Sequence, residues 1–331
     1  MRAKDDLAFD ASILEIDCES VAAEISSWLR EQIGKTLHRR GAVVAVSGGV
    51  DSAVCAALAV RAVGAERVLG LLLPEKDSPA DDTARGLRIC EAFGIKTVVE
   101  DITPALEAIG CYRRRDDAVR ELFPEYGEGW RCKISLADEG AQEGRVHYFN
   151  LTVQSPAGER RCQRMPLAVY LGVVAATNMK QRTRMVLEYH HAERFNYAVI
   201  GTPNRLEYEL GFFVRGGDGL ADVKPIAHLY KTQVFALARH MGVPEEIIDR
   251  APDTGTYNLP QTQEEFYFGL PIERLDRLLA AFQRRTPLAD MTAALDLTEE
   301  QIQNVHDSIV SKRRVAEVLH QAALVMPGVG V

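Results

Sequence analysis

The sequence predicts an α/β protein built on a doubly wound parallel sheet, with a helical C-terminal region and a β-hairpin insertion. Three observations carry that expectation. Short apolar or β-branched runs (Ala42–Val46, Val68–Leu73, Lys96–Glu100, Tyr197–Ile200) alternate with helix-patterned stretches; such alternation gives parallel strands joined by right-handed crossovers, with helices on both faces. The first run breaks at Ser47-Gly48-Gly49 and resumes as a helix former, as a strand turning tightly into a helix would. From Arg145 to Arg164 the pattern alternates around Ser155-Pro156-Ala157-Gly158, which reads as a hairpin.

The elements follow in order. Residues 17–34 read as an amphipathic helix, capped by Asp17, with Val21, Ile25, Trp28 and Leu29 at helical spacing. The glycine loop and its helix end at Gly64. After the second strand, Ser78 is the expected N-cap and Pro79 the first helical residue of a helix ending at Gly94. The Pro74-Glu75-Lys76 loop shares the functional edge of the sheet, either bordering a nucleoside or facing solvent. Thr103-Pro104 opens another helix, and Arg113-Arg114-Arg115 is a basic cluster that reads as a solvated helix face more readily than as a site. Pro166 begins a mostly apolar helix through Ala176, uniform enough for burial in the core or against a second subunit. Val223–Ile226 is strand-like, and a helix from about Leu229 ends on Gly242, with Val243-Pro244 as a stop signal. Thr298-x-x-Gln301 is a capping-box start, and Ile302, Val305 and Ile309 lay down an apolar stripe behind it.

The chain of 331 residues has room for one large α/β domain or two. Its formal charge of −8 argues against wholesale nucleic-acid binding, which needs a basic surface. The six cysteines (Cys18, Cys55, Cys90, Cys111, Cys132, Cys162) are scattered, without zinc spacing, and read as reduced thiols of a cytoplasmic protein. The N-terminus lacks the apolar segment of a signal peptide, and the longest apolar run, Leu167–Ala176, is too short to span a bilayer. No membrane partner is expected.

The loop after the first strand carries the chemistry. Glycines let its backbone approach a ligand closely, and the helix start offers unpaired N–H groups and a partial positive charge, so the geometry suits a phosphate or pyrophosphate. A Walker A loop would need Lys-Ser/Thr here and a dinucleotide fingerprint Gly-x-Gly-x-x-Gly; neither occurs. Asp51 stands instead where an anion would bind, and a carboxylate there makes sense beside a divalent metal. The bland alternative is an ordinary strand–turn–helix corner. Ser47-Gly48-Gly49-Val50-Asp51-Ser52 resembles the pyrophosphate loop of the N-type ATP pyrophosphatases, which split ATP into AMP and pyrophosphate.

A second cluster runs from Gly201 to Ile226, with Glu207, Glu209, Asp218 and Asp222 set among glycines, either as a solvated loop or as a site. Lys231 lies near the start of a helix, the end that disfavours cations; a bound anion would repair the mismatch. Asn178…Arg182-Thr183-Arg184-Met185, Gly201-Thr202…Glu207…Gly211-Phe212-Phe213…Gly217-Asp218-Gly219…Asp222…Pro225…Lys231-Thr232-Gln233, Gly242-Val243-Pro244 and Lys312-Arg313 together resemble the ammonia-dependent NAD synthetase family.

The resemblance implies a Rossmann-like fold of the adenine nucleotide alpha hydrolase type, in a single domain over 1–331. It carries an insertion at about 111–165 and a helical C-terminal extension at about 262–331. The implied reaction joins ammonia to the nicotinate carboxylate of deamido-NAD. ATP first adenylates the carboxylate with release of pyrophosphate, and ammonia then displaces AMP. By the same resemblance Ala45, Val46, Ser47, Gly48, Gly49, Val50, Asp51 and Ser52 hold ATP with Thr202 and Lys231. Asp51 and Glu207 bind Mg²⁺; Arg182, Arg215, Asp222 and Lys312 bind deamido-NAD; and Asp218 helps bind or deprotonate ammonia. Asp51, Lys231 and Asp218 are the catalytic candidates. The family also implies a homodimer, with ammonia taken free or from a separate glutaminase chain.

Three departures mark a divergent subgroup. Asp253 replaces the usual Ser or Thr after Pro252, Ser311 replaces the usual His before the C-terminal Lys, and Gln261–Leu270 matches its family counterpart only loosely. A pyrophosphate-loop ligase for a different carboxylate, or a non-catalytic nucleotide sensor, are the competing readings.

Overall fold

The computed structural model describes residues 11–136, 149–251 and 255–326. Four parallel strands, β1 (Ala42–Ala45), β2 (Val68–Leu72), β3 (Lys96–Val99) and β7 (Ala198–Ile200), form the central sheet in the order β3-β2-β1-β7. In register, Val44 of β1 stands between Gly70 of β2 and Ile200 of β7. Because β1 is flanked by β2 on one side and β7 on the other, the chain's winding reverses there. The carboxyl ends of β1 and β7 open the crevice where sheets of this kind bind ligands.

Side chains alternate across the strands, so each face buries its own core. Ala42 and Val44 pack with α1 (Cys18–Glu31), α2 (Val50–Val63) and α8 (Lys231–His240); Val43, Leu69, Leu71 and Val199 pack with α4 (Thr103–Ala108), α5 (Cys111–Arg120) and α6 (Leu167–Phe195). The expected double winding is present. Most of α2 is buried, which explains its small, apolar composition on every side. The Asp17 side chain caps α1 as predicted. That helix ends at Glu31 and gives way to a π turn over Gln32–Thr36.

Several expectations change. The third helix, α3 (Asp82–Ala92), starts at Asp82 and not at Pro79. The Ser78 hydroxyl accepts from the N–H of Glu75, closing a turn instead of capping a helix. The helix read over 166–176 continues through Phe195, because Met185 and Ala192 of its otherwise polar second half pack in one cluster with Val43 and Val199 of the sheet. Val223–Ile226 contributes one parallel bridge, Ile200 to Val223, and no strand. Arg115 is not solvated: it is buried and paired with Asp77 and Asp116. The Pro74–Lys76 loop does not face solvent at Glu75, whose carboxylate is buried between Lys180 and Tyr112.

The insertion holds the expected hairpin, β5 (Phe149–Gln154) with β6 (Arg160–Arg164), and a further strand, β4 (Arg131–Leu136), in a three-stranded antiparallel sheet. The residues 145–148 of that expectation lie outside the described ones. The C-terminal helices α10 (Ile272–Arg284), α11 (Leu288–Leu295) and α12 (Glu299–His320) confirm the helical extension, and Thr298 with Gln301 forms the capping box. Ile302 and Ile309 are buried. α10 and α12 pack on α7 (Arg205–Leu210) and Tyr230, bringing residues from the end of the chain to the crevice. All six cysteines are free, and among the described residues no helix is long and apolar enough to cross a membrane.

Candidate active site

Val46 leaves β1 and the chain turns through Gly48, at φ +85°, into α2, whose N-cap is Gly49. Only glycine takes that φ without strain. Ser52 hydroxyl donates to Gly49 O at 2.9 Å and lies 3.2 Å from the Ser47 hydroxyl, while Ser47 Oγ also accepts from Gly49 N–H at 3.4 Å. The loop is thus preshaped by its own serines, with the first N–H groups of α2 facing outward from the turn.

Beside it, β7 ends at Ile200, and Gly201–Pro203 lead into α7. The acidic segment read as a loop is helical over Arg205–Leu210 because Asn204 and Glu207 form a reciprocal capping box: Asn204 Oδ1 accepts from Glu207 N–H at 3.2 Å, and Glu207 Oε2 accepts from Asn204 N–H at 3.1 Å. The Asn204 side chain turns back to donate to Asp51 Oδ1 at 3.3 Å. From the other side the Lys231 ammonium pairs directly with Asp51 Oδ2. The anion that its position at the start of α8 calls for is therefore the Asp51 carboxylate itself.

Asp51, Asn204, Glu207 and Lys231 thus converge from three helices. Burial, and then the nearby Asp51 charge, push the Glu207 carboxyl up to about 8, against the pull of Lys231. Burial alone would depress the Lys231 ammonium, but Asp51 and Glu207 outweigh it and hold it above the ordinary lysine value. With Glu207 protonated the cluster is balanced, the Asp51 carboxylate against the Lys231 ammonium; a hard cation bound here would favour the ionised form of Glu207 and take oxygens from both carboxyls.

Two more residues, given no role by the sequence reading, complete this centre. Gln263 Nε2 donates to Glu207 Oε1 at 3.0 Å, and the fully buried Asp276 accepts from the Thr232 N–H at 2.8 Å, anchoring the first turn of α8 next to Lys231. Asn204 did leave a signal, since Asn-x-x-Glu is a capping-box pattern. Gln263 and Asp276 left none; each arrives through tertiary packing from far along the chain.

A second group lies near the loop after α7. Arg182 Nε donates to the Arg215 carbonyl at 3.2 Å, and Arg215 in turn donates to Gln321 O at 2.9 Å beyond the end of α12. Asp218 accepts from Val214 N–H at 2.8 Å, and burial pushes its carboxyl up to about 6. Asp222 accepts from Val199 N–H at 2.8 Å and from the Tyr189 hydroxyl at 3.2 Å, tying the loop to β7. Lys312 touches none of these: its ammonium donates to Tyr267 O at 2.7 Å, and burial lowers it to about 8. Thr202 follows β7 at the crevice, Ser311 is exposed, and Asp253 lies outside the described residues.

Glu188, on α6, is buried near Asp218, and burial followed by that charge pushes it up to about 7, against Arg184. A carboxyl raised in the folded state binds its proton more tightly there than in the unfolded chain. Stability is therefore lost as pH rises from the unfolded value near 4.5 to about 7. Glu188→Gln is expected to raise stability at pH 8 by about 1–3 kcal/mol and to leave it unchanged near pH 4. Urea midpoints at the two pH values measure this; equal midpoints for both proteins at pH 8 would refute it.

The NAD synthase family model matches residues 21–122 and 155–316. The chain is 52% identical to an NH(3)-dependent NAD(+) synthetase of Rhizobium meliloti, over 95% of this chain and 93% of that one. It is 48% identical to one of Rhizobium rhizogenes, over 96% of each. Among solved structures, an NMN synthetase from Francisella tularensis superposes with a TM-score of 0.65 at 23% identity, covering 95% of this chain and all (100%) of that one, a likeness of fold.

Proposed function

This chain belongs to the NAD synthase family, and from that premise we propose that it joins ammonia to the nicotinate carboxylate of deamido-NAD while ATP is split to AMP and pyrophosphate. The observation that carries this reading is the meeting of Asp51, Glu207 and Lys231 beside the glycine loop at the switch point of the sheet.

A carboxylate is a poor acyl donor because its oxygens leave badly, and adenylation supplies a good leaving group. The loop over Ala45–Ser52, with Thr202, holds the triphosphate through N–H groups and hydroxyls, and Lys231 is placed to turn from Asp51 to a phosphate oxygen. Asp51 and Glu207 suit Mg²⁺, which is commonly held by one or two carboxylates together with substrate phosphates. Bound there, Mg²⁺ would neutralise charge on the phosphates. Asn204 and Gln263 orient the two carboxylates. Arg182, Arg215, Asp222 and Lys312 bind deamido-NAD, and Asp218, its carboxyl raised to about 6, takes a proton from the incoming amine.

Incubation with deamido-NAD, ATP, MgCl₂ and ammonium should yield NAD, AMP and pyrophosphate in equal amounts; formation of ADP, or no turnover with deamido-NAD, would refute the reading. Ammonia enters free or from a separate glutaminase chain, and the enzyme works in the cytoplasm as a homodimer. Leu167, Leu171, Ala175, Arg182 and Val186 are exposed along one side of α6 at helical spacing and form the face we assign to the partner subunit. Sedimentation as a monomer at micromolar concentration would remove the dimer.

A further inference from the structure

The back of the glycine loop is closed by α3. A Cβ on Gly48 would stand 2.7 Å from Asp82 O and 3.1 Å from Arg85 Cβ, so the turn and the helix meet without space for a side chain. Arg85 leaves α3 at that contact. Its side chain is 13% exposed, its guanidinium pairs with Asp82 Oδ1, and its Nη1 lies 3.8 Å from the exposed Asp81. Its Nε is buried and has no hydrogen-bond partner. Arg250, just before the segment 252–254, donates to the same Asp82 oxygen at 2.7 Å.

Two guanidiniums therefore share one partly buried carboxylate beside the loop. Asp81 adds little to the balance, since an exposed charge at that distance is screened by water. A buried N–H donor without a partner calls for an explanation, and an arginine in that state beside a phosphate loop matches a phosphate oxygen better than any lysine would.

We propose that Arg85 contacts the β- and γ-phosphates of ATP and holds the pyrophosphate leaving group. This rests on the AMP-forming reaction proposed above. When the substrate carboxylate oxygen attacks the α-phosphorus, the bond from that phosphorus to the α,β-bridging oxygen breaks and its electron pair departs on the pyrophosphate. Arg85 meets the charge gained there without moving a proton. Asp82 keeps the guanidinium oriented, and Arg250 offsets the Asp82 charge so that the anion is not repelled.

Product inhibition separates this from a structural role, because pyrophosphate and AMP occupy different halves of the ATP site. Arg85→Met should raise the inhibition constant for pyrophosphate at least about tenfold, the loss of one charge-assisted contact, with that for AMP changed less than about twofold. Arg85→Lys keeps the stem and the charge but loses the fork, and should shift the pyrophosphate constant by an intermediate factor while AMP stays constant. If Arg85→Met fails to fold, the lysine variant decides by the same ratio. Equal changes for both products, or none for pyrophosphate, would overturn the proposal. Formation of ADP in place of AMP by the wild-type enzyme would instead overturn the reaction on which it rests.

Discussion

Lys231→Met is expected to slow AMP formation about a thousandfold, roughly 4 kcal/mol of lost transition-state stabilisation. Lys231 is the one ammonium paired with Asp51 at the crevice among the described residues, and its side chain is 2% exposed. In so little water a positive charge facing developing phosphate charge counts for far more than on a surface. The same substitution leaves Asp51 and Glu207 close together without their compensating cation, so the variant should also melt lower in EDTA and recover part of that loss in MgCl₂. Single-turnover formation of AMP from ATP and deamido-NAD reads the first effect, and thermal melting with and without Mg²⁺ the second. A rate loss below about tenfold would reduce Lys231 to a structural counterion for Asp51.

The second large effect is on stability. Lys180 is almost wholly buried, and its ammonium donates to Glu75 Oε1 at 2.9 Å, Asp77 Oδ2 at 2.8 Å and Thr256 O at 2.9 Å. Tyr112 donates its hydroxyl to the other Glu75 oxygen at 2.7 Å, and Arg115 pairs with Asp77. Burial raises the Asp77 carboxyl, yet Lys180 and Arg115 outweigh it and hold it below the usual value. The network ties the loop after β2 to α5, α6 and the segment at Thr256. Lys180→Met would leave the buried Glu75 without a cation and Asp77 with Arg115 alone, and should cost about 3–5 kcal/mol. Adding Glu75→Gln, which leaves the Asp77–Arg115 pair in place, should restore much of that loss, because the penalty comes from unpaired charge and not from missing attraction. Urea midpoints of the single and double variants test this, and an unchanged midpoint for Lys180→Met would count against it.

Arg115 and Lys180 show where sequence reading reached its limit. Arg115 sits in a run of three arginines, which on composition alone is a solvated face. Its burial depends on Asp77, which lies 38 residues earlier in the chain. Lys180 lies in a polar stretch that gave no reason to extend the preceding apolar helix. Its ammonium is held by residues from two distant loops, and no local pattern announces a buried ion pair. The glycine loop was legible for the opposite reason: strand, turn and helix start are one local event, written in consecutive residues. Glu207 falls between these cases. Its motif was visible, but its helix was not, since the surrounding glycines masked the Asn204–Glu207 capping box.

By itself, the sequence determined what is local or periodic: the parallel strands, the glycine turn, the capped starts of α1 and α12, and the separated motifs that place the chain in its family. Hydrophobic spacing and turn chemistry act over a few residues and leave their record there. Only the tertiary structure decided which charges meet. The order β3-β2-β1-β7 sets the ends of β1 and β7 side by side, and packing of α8 and α10 then brings Lys231, and Asp276 behind it, to Asp51. A charge interacts through space with whatever the fold places beside it, so its partner, its burial and its protonation become readable only once the chain is folded.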